Sequence, residues 1–434
     1  MINIDKKFLK LFEKNKEISI GIVGSGQMGR GLITQFLIIR GFKLRIIANR
    51  TLQKAIDILL KCGIKIDDIE VVNTICGANS AIERGKYIVT EDIEILTKVD
   101  FIDCILEATG IPEIGTFTAL KSIQNKKHIV TLNVEADVVV GPYLKKLAIQ
   151  NDVIYTGSAG DEPGAVMELF SFAKAIGFDV KVVGKGKNNK IEKYCNPDTV
   201  YGEAKNRKMN PKILCSFKDG TKTMCELAAM SNATGFIPDI VGVHGIKSDV
   251  NSLSSKLNLK INGGILNKFN VVEYVDGIAP GVFVIIYSEN DEYNFHMEYL
   301  KMGNGPFWTL YRPYHLCNLE TPISVFKAVI EKEETINSID GLVSECIAVA
   351  KKDLKAGEYL DGVGGYTTYG SITEIEDSQK NNYVPLGLLN EKARVIKDIK
   401  KGEYLTKEKI ELDKTTLIYK IRKEQDKIFL NYKK

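Results

Sequence analysis

The sequence predicts an α/β chain organised around a parallel sheet, and three observations carry that expectation. Apolar β-branched runs alternate with stretches of helical spacing through the first third of the chain, and a glycine-rich turn joins the first run to the first such stretch. The composition, 44% hydrophobic and 26% charged over 434 residues, is that of an ordinary globular protein long enough for two or three domains with substantial cores.

Ile18–Val23 reads as a strand, Gly24-Ser25-Gly26-Gln27-Met28-Gly29 as the turn, and Met28–Arg40 as a helix stopped by Gly41. In that context the turn is a Rossmann dinucleotide fingerprint. Gly24 permits the tight bend, Gly26 lets the backbone approach a pyrophosphate, and Gly29 lets the helix pack on its strand; Ser25, Gln27 and Met28 belong to the same cradle. Lys43–Ala48 comes next as a second strand and ends in Asn49-Arg50, about 20 residues past the last glycine, where such folds select the adenosine ribose. A carboxylate there would take a 2′-hydroxyl, whereas a neutral residue followed by arginine suits a 2′-phosphate, so NADP is favoured over NAD. The competing reading makes Arg50 the solvated start of a helix beginning at Thr51.

Asp100–Ala108 is a further buried-strand pattern, and the small residues Ala108, Thr109 and Gly110 at its end would admit the nicotinamide half of the cofactor. Lys127–Leu132 is another, ending in Asn133-Val134-Glu135-Ala136-Asp137. Because ligands gather at strand carboxyl ends, Asn133 is a cofactor candidate and Glu135 a substrate candidate.

The charge balance narrows the partners. The 59 basic and 55 acidic residues are interspersed, for a net +4, so no nucleic-acid partner is expected. No apolar run approaches the roughly 20 residues of a membrane span. The stretch Met1–Phe12 lacks the apolar core of a signal peptide, so a cytoplasmic protein is expected. Eight scattered cysteines without a C-x-x-C pair and four histidines indicate neither a disulfide framework nor a structural zinc site, and no metal is assigned.

Five strings resemble the homoserine dehydrogenase superfamily, and more closely its 1-deoxyxylulose-5-phosphate reductoisomerase-like members: Leu106–Gly110, Asn133–Asp137, Gly157–Gly164, Phe217–Lys222 and Gly303–Phe307. The resemblance spans nearly the whole chain. Homoserine dehydrogenases carry Asn-Lys where this chain has Asn133-Val134, which weakens that branch. The closer resemblance implies NADPH-dependent conversion of 1-deoxy-D-xylulose 5-phosphate to 2-C-methyl-D-erythritol 4-phosphate, in isoprenoid precursor synthesis. It leaves as alternatives a dehydrogenase of homoserine, of another polyhydroxy acid or of a sugar phosphate, or a nucleotide-binding protein without turnover. A small substrate, phosphorylated or polyhydroxylated, and a homodimer or higher homo-oligomer are expected.

Such chemistry needs a proton donor and an anchor for an anionic substrate. Lys181–Lys190 reads as a strand ending in a basic segment, in which Lys185, Lys187 and Asn188 could meet the anion through side chains and glycine N–H groups, with Lys187 also a catalytic candidate; the alternative is an exposed basic loop. Asp219 and Lys222 stand before the helical run Thr223–Ser231 and would share its first turn, with Asp219 orienting Lys222 as general acid and base, or else form a surface pair. Asp161 and Glu162 come after the strand pattern Asp152–Tyr155 and precede the helical run Ala165–Ile176, which suits either helix capping or the binding of substrate hydroxyls or a metal, with Asp161 a substrate candidate and Glu162 a catalytic one. Arg312 and His315 lie in a shaped loop near the single Trp308, with packing the commoner role for His315.

Near the C-terminal end, Lys352-Asp353-Leu354-Lys355-Ala356-Gly357-Glu358-Tyr359-Leu360 recurs as Lys397-Asp398-Ile399-Lys400-Lys401-Gly402-Glu403-Tyr404-Leu405. Two copies are too few for a solenoid and predict a small pseudo-symmetric β-rich domain, which is similar to the SAF module. The expected organisation is a Rossmann NADP-binding domain over 1–155 with a return of 300–334. A central α+β, homoserine-dehydrogenase-like catalytic and oligomerisation domain is expected over 156–299, then the SAF-like domain over 335–434.

Overall fold

The computed structural model describes residues 3–187 and 189–430. The chain forms two compact units: Met1–Asp161 with Leu316–Asn337, and Glu162–His315 with Ser338–Lys434.

The first unit runs α1 Ile4–Glu13, β1 Ile18–Val23, α2 Gln27–Ile38, β2 Phe42–Ala48, α3 Leu52–Lys61, β3 Ile69–Val71, α4 Ile75–Glu83, β4 Tyr87–Thr90, α5 Ile93–Lys98, β5 Cys104–Glu107, α6 Pro112–Gln124, β6 His128–Thr131, α7 Val134–Gln150 and β7 Tyr155–Gly157. Its seven strands form one parallel sheet in the order β3-β4-β2-β1-β5-β6-β7. This is the α/β Rossmann arrangement that the glycine turn predicts. Every residue of β1 is buried, as expected of a central parallel strand covered on both faces. The order reverses at β1, which opens a crevice beyond the carboxyl ends of β1 and β5. Ile20, Ile22, Leu32 and Leu44 fill one core cluster, while Val23, Ile46, Ile88 and Ile105 belong to another. The helix Thr321–Phe326 returns to this unit and adds Val325 and Phe326 to the first cluster.

Two strand expectations shift. Only Cys104–Glu107 of Asp100–Ala108 is strand; Asp103 instead uses its carboxylate to accept the Ser19 N–H at 2.8 Å. Asp152 lies in a turn after α7 with a φ of 56°, so the expected strand Asp152–Tyr155 begins only at Tyr155.

The second unit runs α8 Glu162–Ala175, β8 Asp179–Lys187, α9 Tyr201–Asn206, α10 Pro211–Lys218, α11 Thr221–Thr234, β9 Ile237–Pro238, β10 Ile246–Lys247, α12 Leu253–Lys256, β11 Val271–Asp276, β12 Val282–Tyr287, α13 Asp291–Tyr299 and β13 Phe307–Arg312. The sheet order is β10-β11-β8-β12-β13, with β9 beside β11; β8 is parallel to β11, and β12 is antiparallel to both β8 and β13. Helices α8 and α11 pack on β8. Val182, Val271, Val275 and Phe283 gather with Leu253 of α12 in a separate apolar cluster. Alternation along β8 therefore sends Lys185 and Lys187 to the opposite side from Val182.

After residue 338 come the antiparallel strands Ser344–Ala350 and Thr368–Glu374, two short strands at Arg394–Val395 and Ile410–Glu411, and the helix Leu417–Phe429. The two repeats pair with each other. Leu354 and Ile399 exchange backbone hydrogen bonds of 2.8 and 2.9 Å. Asp353 accepts the Lys401 N–H and Asp398 the Ala356 N–H, each at 2.9 Å, so the two aspartates play matching parts. Gly357 and Gly402 turn the chain at φ of 96° and 83°, a conformation that favours glycine.

Candidate functional site

The glycine cradle forms where β1 hands over to α2. Gly24 has a φ of 98° and its N–H bonds the Ala48 carbonyl at 2.9 Å. A Cβ on Gly29 would stand 2.0 Å from the Gly24 carbonyl oxygen, whereas one on Gly26 would meet nothing within 4 Å. Gly29 is thus required by the fold, while the space beside Gly26 is open. No side chain caps α2, whose N-cap is Gly26, so its first-turn N–H groups point to a crevice suited to an anion. Ser25 is buried and its hydroxyl has no hydrogen-bond partner among the described residues, a second polar group available to a ligand; Gln27 is exposed and Met28 half-buried. These residues fit the pyrophosphate of a dinucleotide.

Asn49 braces the cradle from beneath: its Oδ1 accepts the Ser25 N–H at 2.9 Å and its amide donates to the Thr51 carbonyl at 2.8 Å. Arg50 is exposed and makes no ion pair with any described residue. Beyond β5, Thr109 donates its N–H to Glu107 at 2.9 Å, with Ala108 before it half-buried and Gly110 after it at a φ of 67°. Burial pushes the Glu107 carboxyl up to about 7, while the Thr109 hydrogen bonds oppose the rise. Asn133 caps α7, accepting the Ala136 N–H at 3.1 Å and donating to the Ile111 carbonyl at 3.0 Å; Glu135 is buried in the first turn of that helix.

In the second unit a charged cluster is buried beside β8. Lys185, 4% exposed, donates to Glu162 at 2.6 Å and also to Glu226. Burial works to lower the Lys185 pKa, but the two carboxylates outweigh it and hold the ammonium above its usual value. Burial raises Glu226, and the neighbouring Glu162 adds to the rise against the charges of Lys185 and Lys222. Lys187 donates to the Phe217 carbonyl at 2.8 Å, and burial together with the Lys185 charge brings it down to about 8. His315 Nε2 lies 3.4 Å from Glu162, and Arg312 pairs with Glu168 at 3.2 Å while stacking over Tyr314.

Several expectations are corrected here. Lys185 and Lys187 are buried strand residues, not members of an exposed basic loop. The neighbouring glycine N–H is not offered to an anion, because Gly186 donates to the Gly281 carbonyl at 2.7 Å; Asn188 lies outside the described residues. Asp219 comes directly after α10 and pairs with Lys351 at 2.8 Å instead of orienting Lys222. Asp161 is buried at the end of the first unit, and Glu162 opens α8 with its carboxylate turned to Lys185 instead of serving only as a helix cap. Glu226 was not expected. Its signal was available: it is the single charge in Thr223–Thr234, one helical turn after Lys222. Lys351 had no such local signal.

Among the described residues, no helix is long and apolar enough to cross a membrane. No curated protein matches the chain. Among solved structures, a "probable dehydrogenase" from Thermotoga maritima is similar at 14% identity, over 73% of this chain and 90% of its own, with a TM-score of 0.42. Scyllo-inositol dehydrogenase from Lactobacillus casei, with NAD(H) and scyllo-inositol bound, is similar at 14% identity over 68% and 76%, with a TM-score of 0.38. Biliverdin reductase from Synechocystis sp. PCC 6803, in complex with biliverdin and NADP+, is similar at 17% over 41% and 50%, with a TM-score of 0.27, so the chain spans about half the length of that protein. Residues 160–321, which include Lys185, Lys187, Glu162 and Glu226, match the family described as "Oxidoreductase DRL, catalytic domain".

Proposed function

We propose that this protein is an NADP-linked oxidoreductase that reduces a phosphorylated or polyhydroxylated carbonyl compound. 1-Deoxy-D-xylulose 5-phosphate, converted to 2-C-methyl-D-erythritol 4-phosphate, is the first substrate to test. The observation that carries the reading is the buried Lys185–Glu162–Glu226 cluster with Lys187 beside it, inside the stretch similar to an oxidoreductase catalytic domain.

Carbonyl reduction adds a hydride to carbon and a proton to oxygen; a reduced nicotinamide dinucleotide supplies the hydride when bound. Ser25, Gly26 and the first-turn N–H groups of α2 would hold its pyrophosphate, and Arg50 its 2′-phosphate. Lys187 donates the proton. With its pKa lowered to about 8 it is still charged near neutrality yet releases its proton readily, which is what an acid catalyst needs. Lys185 cannot take that part, because two carboxylates hold its proton; it fixes Glu162 and Glu226 in place, where they can accept hydrogen bonds from substrate hydroxyls.

Turnover in the reductive direction should fall as the pH rises through about 8, as Lys187 loses its proton. Lys187→Arg keeps the charge at all these values, so it removes that limb and lowers kcat by about 10²–10⁴-fold. If the limb survives in Lys187→Arg and vanishes in Lys222→Ala, the donor is Lys222. Folding stability changes in a linked way: a lysine whose folded pKa is depressed binds fewer protons than the unfolded chain above about 8, so this group's contribution to stability rises with pH there.

Arg50→Ala should weaken NADPH binding about tenfold or more and leave NADH nearly unchanged, as expected for loss of one charge-assisted hydrogen bond to a phosphate. Equal losses for the two cofactors would remove Arg50 from the 2′-phosphate. Substrate identity is tested by incubating purified protein with NADPH and a panel of the deoxyxylulose phosphate, other sugar phosphates and carbonyl derivatives of polyhydroxy acids. Loss of reduced-nicotinamide absorbance with another member, and none with the deoxyxylulose phosphate, rejects the preferred substrate.

A further inference from the structure

Cys195, in the segment after β8, and Cys215, on α10, bring their sulfurs within 3.6 Å inside a small apolar cluster with Val200, Ala204 and Leu214. Both thiols are free. A third group completes the arrangement. Lys351 Nζ lies 3.3 Å from Cys215 Sγ, 2.7 Å from the Gly365 carbonyl and 2.8 Å from Asp219, with its side chain 2% exposed. An ammonium beside a sulfur favours its thiolate and so its attack on an oxidised partner.

The pair stands next to the reaction cluster. Cys215 is two residues before Phe217, whose carbonyl receives the Lys187 ammonium, and four before Asp219, which ends the same helix and holds Lys351. Drawing Cys215 Sγ toward Cys195 to bonding distance moves that turn of α10, and with it the oxygen that Lys187 touches.

We propose that Cys195 and Cys215 are a modification site, forming a reversible disulfide that displaces the Phe217 carbonyl from Lys187. The oxidant is a hydroperoxide. The Cys195 thiolate attacks one peroxide oxygen, breaking the O–O bond and giving a sulfenic acid with loss of hydroxide, which takes up the thiol proton as water. The Cys215 thiolate then attacks the Cys195 sulfur and expels the second oxygen, again as water, so two thiols are oxidised and one hydroperoxide is reduced. Lys351 Nζ, 3.3 Å from Cys215 Sγ, favours the Cys215 thiolate for this second attack, against the Cys195 hydrogen bond and the burial that raise it. A dithiol reductant restores both thiols.

The full chain is treated with hydrogen peroxide, alkylated and mapped by mass spectrometry. The expected result is a Cys195–Cys215 peptide lighter by about 2 Da than the sum of its thiols, absent after reduction. In Cys215→Ala, Cys195 should be trapped by a sulfenic-acid reagent; Cys195→Ala should leave Cys215 reduced, with melting temperatures of both variants checking that they fold. In the wild type, acetylation of Lys187 should speed up several-fold on oxidation and return on reduction. Oxidation of exposed Cys76 while Cys195 and Cys215 both remain alkylatable overturns the disulfide. A disulfide that leaves the Lys187 labelling rate unchanged overturns its coupling to the reaction cluster. Neither readout uses a substrate, so failure here is separate from failure of the proposed activity.

Discussion

Replacing Lys185 by methionine should cost about 3–5 kcal/mol of folding stability, because it leaves Glu162 and Glu226 buried without their shared counter-charge. Equilibrium denaturation of the purified variant measures this. The same substitution with Glu162→Gln and Glu226→Gln added should recover most of the loss, since the uncompensated charge is removed with its partner. The deficit of the single variant is also pH-dependent, with a sign set by Glu226. Burial and Glu162 hold its folded pKa above the unfolded value, so the folded state binds the proton more tightly and stability declines as the pH rises through that range. Without the Lys185 ammonium the elevation is larger, and the deficit should shrink on acidification. A loss under about 1 kcal/mol, the size expected of an exposed pair, would mean that the cluster is not the buried charge system described.

Gly29→Ala should abolish measurable dinucleotide binding and destabilise the first unit by about 1–3 kcal/mol, the usual cost of overpacking. The added Cβ would fall 2.0 Å from the Gly24 carbonyl oxygen, so α2 has to move away from β1. Gly26→Ala separates the ligand from the fold. Its Cβ meets no atom of the protein within 4 Å, so the melting temperature should stay as it was while dinucleotide affinity falls at least tenfold. Loss of stability without loss of affinity in Gly26→Ala would place the ligand elsewhere.

The first unit was legible because its signals are local. A strand buried on both faces reads as an unbroken apolar run, and Ile18–Val23 lies where the run lies; the glycine turn then fixes where α2 begins. Asn133 shows the limit of that reading, since a polar residue at a strand's carboxyl end and a helix N-cap look alike in sequence, and here the side chain does the capping. The lysines of β8 were harder. A strand ending in alternating glycine and lysine resembles an exposed loop until α8 and α11 are known to cover it, and the glycines turn out to serve packing: a Cβ on Gly184 would strike the ring of Phe283 and the Glu273 carbonyl oxygen. The partner of Asp219 was out of reach, because Lys351 is distant in sequence and only the packing of the strands Ser344–Ala350 and Thr368–Glu374 on α11 brings it near. The repeats were visible, but their mutual pairing through Asp353 and Asp398 was not, since recurrence in sequence does not say whether copies stack or face each other.

The central claim is tested most directly by titrating the full-length protein with NADPH and with NADH and monitoring nicotinamide fluorescence. Saturable binding of both with NADPH the tighter, lost in Gly29→Ala and levelled between the cofactors in Arg50→Ala, is the predicted result. Absence of any signal up to millimolar concentrations of either nucleotide would contradict it.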